Sequence, residues 1–271
     1  MSSIITFLCL LILGYVFKVS GFLLKTDADA IRKLVFNVCL PCMAFKAMHG
    51  SALKSSFLLI ICGVVLLHVL GYVLFRLSNG RLKDVVFAGW AGNTAFIGYP
   101  IVEGLFGLDG LSRGVIFDQT NTVMIILLWM QKGIKSIFSP PLVGAFLGLL
   151  LHNMAIPVPM SDAISMLASV TSPLAMIYTG YVLQMDWDVR VLPALFLKFL
   201  VLPLLAMAVS SLLNLPLLDR DVMVVQSSMP TMVVSIIYGE QMGLDTAFLS
   251  KAVVISTLIY PLSFLLWNAL L

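Results

Sequence analysis

Two stretches gather polar side chains and helix breakers inside otherwise apolar sequence. The first is Gly92-Asn93-Thr94-Ala95-Phe96-Ile97-Gly98-Tyr99-Pro100 and the second is Gln226-Ser227-Ser228-Met229-Pro230-Thr231. Proline inside a helix removes one backbone hydrogen bond and leaves a carbonyl that must find another partner. Away from water that deficit costs several kcal/mol, so such breaks line cavities or pack against protein. A broken helix also exposes N–H groups and a partial positive charge, which suits a carboxylate without a buried Lys or Arg. The chemistry on offer is therefore the holding of a small organic anion by amides and hydroxyls. The plainer alternative is a pair of kinks softened by Ser and Thr for packing.

Ionisable groups inside apolar runs are few. Asp118, followed by Gln119, Thr120 and Asn121, is placed to couple a cation, either as a proton carrier or as part of a hard-oxygen site for Na+. Lys198 is expected to snorkel toward a headgroup. His68 reads as a hydrogen-bonded helical histidine. Cys39 and Cys42 form a C-x-x-C around Pro41, but a structural zinc site needs about four ligands and no second cysteine pair exists, so they read as packing residues. No H-E-x-x-H, G-x-S-x-G or P-loop pattern occurs, so neither an enzyme nor a nucleotide-driven pump is indicated, and no cofactor is expected beyond a coupling Na+ or H+.

The elements that position these residues are membrane spans. Of 271 residues 61% are apolar and 11% charged, with a mean hydropathy of +1.07, whereas a soluble domain carries roughly 25% charged residues. Apolar runs of about 20 residues, enough to cross a hydrocarbon core at 1.5 Å per residue, recur along the chain. They divide it into ten spans, at about 2–18, 28–47, 55–75, 84–106, 112–130, 140–156, 162–184, 190–213, 221–239 and 246–270. The fold class is thus all-α and polytopic. The first run lacks a basic flank or cleavage signature and is read as a retained span. Loops after odd-numbered spans hold eleven Lys and Arg, and loops after even-numbered spans hold four, namely Lys46, Lys54, Arg113 and Arg220. By the positive-inside rule both termini lie outside. A net charge of +3, scattered over short loops, gives no reason to expect nucleic acid.

The halves repeat. Pro41 in span two and Pro173 in span seven head similar phrases, LPCMAF and SPLAMI, and Pro100 and Pro230 follow them by 59 and 57 residues. Gly14 and Gly148 extend the register upstream. A duplicated five-span unit must invert, which gives repeats at 1–131 and 139–271. Paired breaks at corresponding places in inverted halves mark the midplane site of secondary transporters.

With LPCMAF, GNTAFIGYP, SPLAMIYTGYVL, SSMP and LSKAVVISTLIYPLS in this order, the chain resembles the auxin efflux carrier family over nearly its whole length. That group includes plant auxin carriers and bacterial malonate or malate carriers, within the bile-acid/sodium symporter-like superfamily. The resemblance implies an NhaA-like fold in which broken helices 4 and 9 cross. It also implies a scaffold domain of helices 1, 2, 6 and 7 and a transport domain of helices 3–5 and 8–10 moving as an elevator. Asn93 and Pro100 match the family's helix-four residues, and Pro230 matches helix nine beside Ser227, Ser228 and Thr231. The expected substrate-binding set is Pro41, Asn93, Thr94, Gly98, Pro100, Ser227, Ser228, Pro230 and Thr231, with Asp118 and Asn121 for coupling. The expected activity is transport of a carboxylate or dicarboxylate across a plasma (bacterial inner) membrane, with the lipid bilayer and a second copy in a homodimer as the partners. Na+- or H+-coupled symport of a larger anion, or an anion channel, are the alternatives. Where plant carriers have a further helix-nine proline this chain has Ser235, and their long central loop is replaced by about ten residues between Met130 and Pro141.

Overall fold

The computed structural model describes residues 2–51, 55–133, 137–152, 154–183 and 188–271. Lys54 and Lys135 of the charge count lie outside them. Regular structure among the described residues is helical. The helices are α1 (Ser2–Val19), α2 (Lys25–Leu34), α3 (Leu40–His49), α4 (Ser56–Leu77), α5 (Arg81–Trp90), α6 (Gly98–Met124) and α7 (Pro140–Leu150). They continue with α8 (Val158–Val182), α9 (Leu192–Phe196), α10 (Leu202–Leu212), α11 (Leu217–Ser227), α12 (Ser235–Gln241) and α13 (Thr246–Leu270). Among the described residues four helical stretches are long and apolar enough to cross a membrane, at Ser56–Leu77, Val158–Val182, Val189–Leu212 and Thr246–Leu270. Their apolar side chains also point outward. Leu58, Leu70, Val73 and Leu77 of α4 are all exposed, as lipid-facing residues must be.

Among the described residues three π-helical segments occur, two of them within longer helices, at Val35–Cys39 and Leu197–Val201, and one, Ile125–Trp129, at the end of α6. Two are followed by Leu-Pro, namely Leu40-Pro41 and Leu202-Pro203. Proline cannot donate the next helical bond, and a π turn absorbs the misfit while the helix continues. Pro41 therefore sits in a continued helix and does not end one. In α6 the turn between the expected fourth and fifth spans falls at Gly107, whose φ of 65° is a left-handed conformation suited to glycine. The sixth span is shorter than expected, its helix ending at Leu150.

The chain divides into two compact units. The first comprises residues 1–54, 95–115 and 138–183, and holds α1, α2, α3, α7, α8 and the start of α6. Its helices approach at glycines. A Cβ on Gly14 would lie 2.0 Å from the Ile177 carbonyl oxygen, and one on Gly180 would lie 1.9 Å from that of Leu11, so α1 and α8 touch backbone to backbone. Likewise, Cβ atoms on Gly144 and Gly148 of α7 would meet the carbonyl oxygens of Pro41 and Phe45 at 2.3 and 2.5 Å. Without a hydrophobic drive between helices in lipid, such small-residue contacts supply the packing.

The second unit comprises residues 55–94, 116–137 and 184–271. Here α4 packs on α5 and α10, α10 on α11, and α13 on α5, α11 and α12. The Trp90 indole lies where Gly71 has no side chain, 2.3 Å from the position of a Cβ, and its Nε1 donates to the Leu67 carbonyl at 3.0 Å.

Gly14→Leu and Gly180→Leu are each expected to force α1 and α8 apart. Overpacking of this kind costs about 1–3 kcal/mol or more. Thermal unfolding in nanodiscs should show a melting temperature lower by at least about 5 °C, whereas Gly133→Ala, with nothing within 4 Å of its Cβ position, should leave it unchanged.

Candidate functional site

Helices α5 and α11 both end inside the second unit, at Trp90 and Ser227, and each gives way to a short extended stretch. The stretches pair as an antiparallel bridge between Gly92 and Thr231. Asn93 N–H donates to the Pro230 carbonyl at 2.7 Å, and Met232 N–H donates to the Ala91 carbonyl at 2.9 Å. Each break thus supplies the partners that the other lost, which is how irregular backbone survives away from water. Side chains complete the crossing. Thr231 Oγ1 donates to the Ala88 carbonyl (2.9 Å), Thr231 N–H to Ser256 Oγ (3.0 Å), Gln226 Nε2 to the Thr94 carbonyl (3.2 Å) and Ser228 Oγ to the Val225 carbonyl (2.8 Å).

A directed chain of hydrogen bonds leads from this crossing to a buried carboxylate. Trp129 Nε1, which can only donate, points at His68 Nδ1 at 3.1 Å. The imidazole proton is therefore on Nε2, which donates to Asn121 Oδ1 at 2.9 Å. Asn121 Nδ2 donates to Thr94 Oγ1 at 3.3 Å, and Thr94 Oγ1 donates to Asp118 Oδ1 at 2.5 Å. Gln119 Nε2 donates to Asp118 Oδ2 at 2.8 Å. Both carboxylate oxygens accept, the pattern of an ionised group held by donors. His68 lies inside this chain, and Asp118 is 5% exposed.

A small cavity of about 10 Å³ lies against the crossing, lined among others by His68, Trp90, Gly92, Asn121, Lys198 and Ser227. It has room for about one water molecule. Lys198 corrects the snorkelling expectation: it is 0% exposed, and its Nζ has no hydrogen-bond partner among the described residues. Ser227 Oγ shares that condition. The π segment ahead of Pro203 carries Lys198. Leu197 packs on Gly89, and Trp267 Nε1 donates to the Phe199 carbonyl at 2.8 Å.

The first unit has a cavity of its own, about 580 Å³, with Lys46, Glu103, Ser169, Ser172, Pro100 and Pro173 among its lining residues. Lys46 and Glu103 are half-buried. Sequence reasoning counted Lys46 as a loop charge and passed over Glu103. Their apolar neighbours Ala47, Met48 and Val102 were the available signal.

Of the expected site residues, Asn93, Thr94, Ser227, Ser228, Pro230 and Thr231 come together at the crossing in the second unit, and Asp118 and Asn121 join them through Thr94. Pro41, Gly98 and Pro100 belong to the first unit. Pro100 stands in the first turn of α6, where a missing N–H costs little, and the break itself runs from Ala91 to Ile97. Nothing in sequence spacing indicated the His68–Trp129 pair, because the partners are 61 residues apart.

The family model described as "Membrane transport protein" matches residues 1–133 and 121–268. Two archaeal relatives are each 27% identical. One, from Methanocaldococcus jannaschii, aligns over 100% of this chain and 98% of its own length, and the other, from Methanothermobacter thermautotrophicus, over 99% and 97%. Both bear the name uncharacterized transporter.

Thr94→Val keeps the shape of the side chain but removes the donor to Asp118 and the acceptor for Asn121. A buried group left short of a partner costs about 1–3 kcal/mol. Thermal unfolding should report that loss for Thr94→Val and a smaller one for Thr94→Ser, which keeps the hydroxyl.

Proposed function

Because the chain belongs to the membrane transport protein family, the auxin efflux carriers, we propose that it is a secondary active carrier of a small carboxylate or dicarboxylate in the plasma membrane, working by elevator-type alternating access. The observation that carries this reading is the antiparallel crossing of two interrupted helices, with Asn93, Thr94, Ser227, Ser228, Pro230 and Thr231 gathered at it and Asp118 behind Thr94. Discontinuous helices that meet in this way are the usual centre of a secondary transporter.

Two inverted five-helix repeats, ten spans in all, are part of the proposal. Exchanging the halves pairs α1 with α7 and α3 with α8, so the contact of α1 on α8 becomes that of α7 on α3. Both contacts are made through glycines, Gly14 in one and Gly148 in the other. The same backbone contacts favour a stiff first unit as the scaffold and the second unit as the moving part.

Volume supports a seat for the anion away from the crossing. The cavity at the crossing takes about one water, too little for a carboxylic acid, whereas the first unit's cavity of about 580 Å³ is in the range of small-molecule sites. Lys46 is its positive group and receives the substrate carboxylate there. Glu103 repels a second carboxylate, which favours monocarboxylates over dicarboxylates. The residues of the crossing then serve the conformational change and its coupling.

Counterflow in proteoliposomes tests the reading. Uptake of a labelled small carboxylate, screened across mono- and dicarboxylates, should fall by about tenfold or more in Lys46→Gln, as expected when a charge-assisted bond worth roughly 1.5–3 kcal/mol is lost. Glu103→Gln should shift preference toward dicarboxylates. Conductance far above carrier turnover would establish a channel instead. In this reading both termini lie outside, so a C-terminal alkaline phosphatase fusion should be active and a fluorescent-protein fusion dark.

A further inference from the structure

The ammonium of Lys198 has been given no role. Its side chain is wholly buried, and its Nζ lies 3.4 Å from the position that a Cβ on Gly92 would occupy, directly against the backbone of the crossing. No hydrogen-bond partner for it exists among the described residues. A charge taken out of water is costly, and negative potential in the surroundings offsets that cost.

The helix ends supply it. The cavity that Lys198 lines is also lined by Trp90 and Gly92 at the C-terminal end of α5, and by Gln226 and Ser227 at that of α11. Each helix C-terminus carries roughly half a negative charge, so two ends converging on one spot carry about one elementary charge between them. One ammonium offsets it. Half-helix C-termini and unwound carbonyls are also the groups that coordinate a mobile monovalent cation in carriers with discontinuous helices.

We propose that Lys198 is a tethered cation, filling a monovalent-cation position formed by the C-terminal ends of α5 and α11, so that the protein works without Na+ and becomes a binder of free cations only when this side chain is removed. The cavity of about 10 Å³ accommodates one water beside Nζ, and loss of the lysine side chain enlarges it enough for Na+ or ammonium. The proposal rests on reading the crossing as the working centre of a carrier. Its test measures cation occupancy without transport, so the two readings fail separately.

The experiment compares melting temperatures in nanodiscs for the wild type, Lys198→Ala and Lys198→Met, in chlorides of Na+, ammonium, methylammonium and N-methyl-D-glucamine at one ionic strength. Wild-type protein should melt at the same temperature in all four. Lys198→Ala should melt at least about 5 °C lower in N-methyl-D-glucamine and recover saturably with the small cations, as mass action requires. Lys198→Met, uncharged but filling the space, should melt low and stay low. If the alanine variant is recovered folded only when a small cation is present during extraction, that also supports the proposal. It is overturned by specific Na+ stabilisation of the wild type, by an alanine variant that is stable without small cations or lost with them, or by equal rescue of the methionine variant.

Discussion

Two interrupted helices meeting in a medium that offers no water is the constraint on which the rest of this molecule depends. Ending α5 at Trp90 and α11 at Ser227 leaves backbone groups that lipid cannot satisfy. The solution is mutual: Asn93 N–H bonds to the Pro230 carbonyl, Met232 N–H to the Ala91 carbonyl, and Thr231 returns a hydroxyl to Ala88. A strand-like bridge of this kind has little apolar area of its own. Its stability therefore depends on the buried surroundings that keep water from competing with it.

Those surroundings also hold the polar groups in defined states. The donor-only indole of Trp129 fixes the tautomer of His68, which fixes the orientation of Asn121, and Thr94 passes the direction on to Asp118. Removing one link misaligns every group beyond it, which makes the network a unit and not a set of independent contacts. Lys198 stands apart from this chain. It is stabilised by the field of helix ends, while Asp118 is stabilised by individual donors.

The two units are assembled by different means. In the first, glycines bring helix backbones together, so that α1 rests on α8 and α7 on α3 without intervening side chains. In the second, large side chains fill gaps left by small ones, as Trp90 does at Gly71 and Leu197 at Gly89, and indole N–H groups bond to carbonyls of neighbouring helices. Close backbone contact gives a stiff body.

Much of the fold was legible in the sequence because the solvent is lipid. Apolar length sets the helices: α4, α10 and α13 end within two residues of the expected positions. The breaks at Asn93 and Pro230 were legible too, since glycine, asparagine and proline act on their own local backbone. What only the tertiary structure decided is non-local. Pro41 and Pro203 are helix breakers by residue type, but a π turn precedes each and the helix continues through it. Lys198 read as a residue of the lipid face, but hydropathy along one helix cannot reveal two other helices that converge on it from residues 90 and 227. Asp118, His68 and Trp129 are bound by bonds spanning up to 61 residues, and only folding brings such groups within reach of one another.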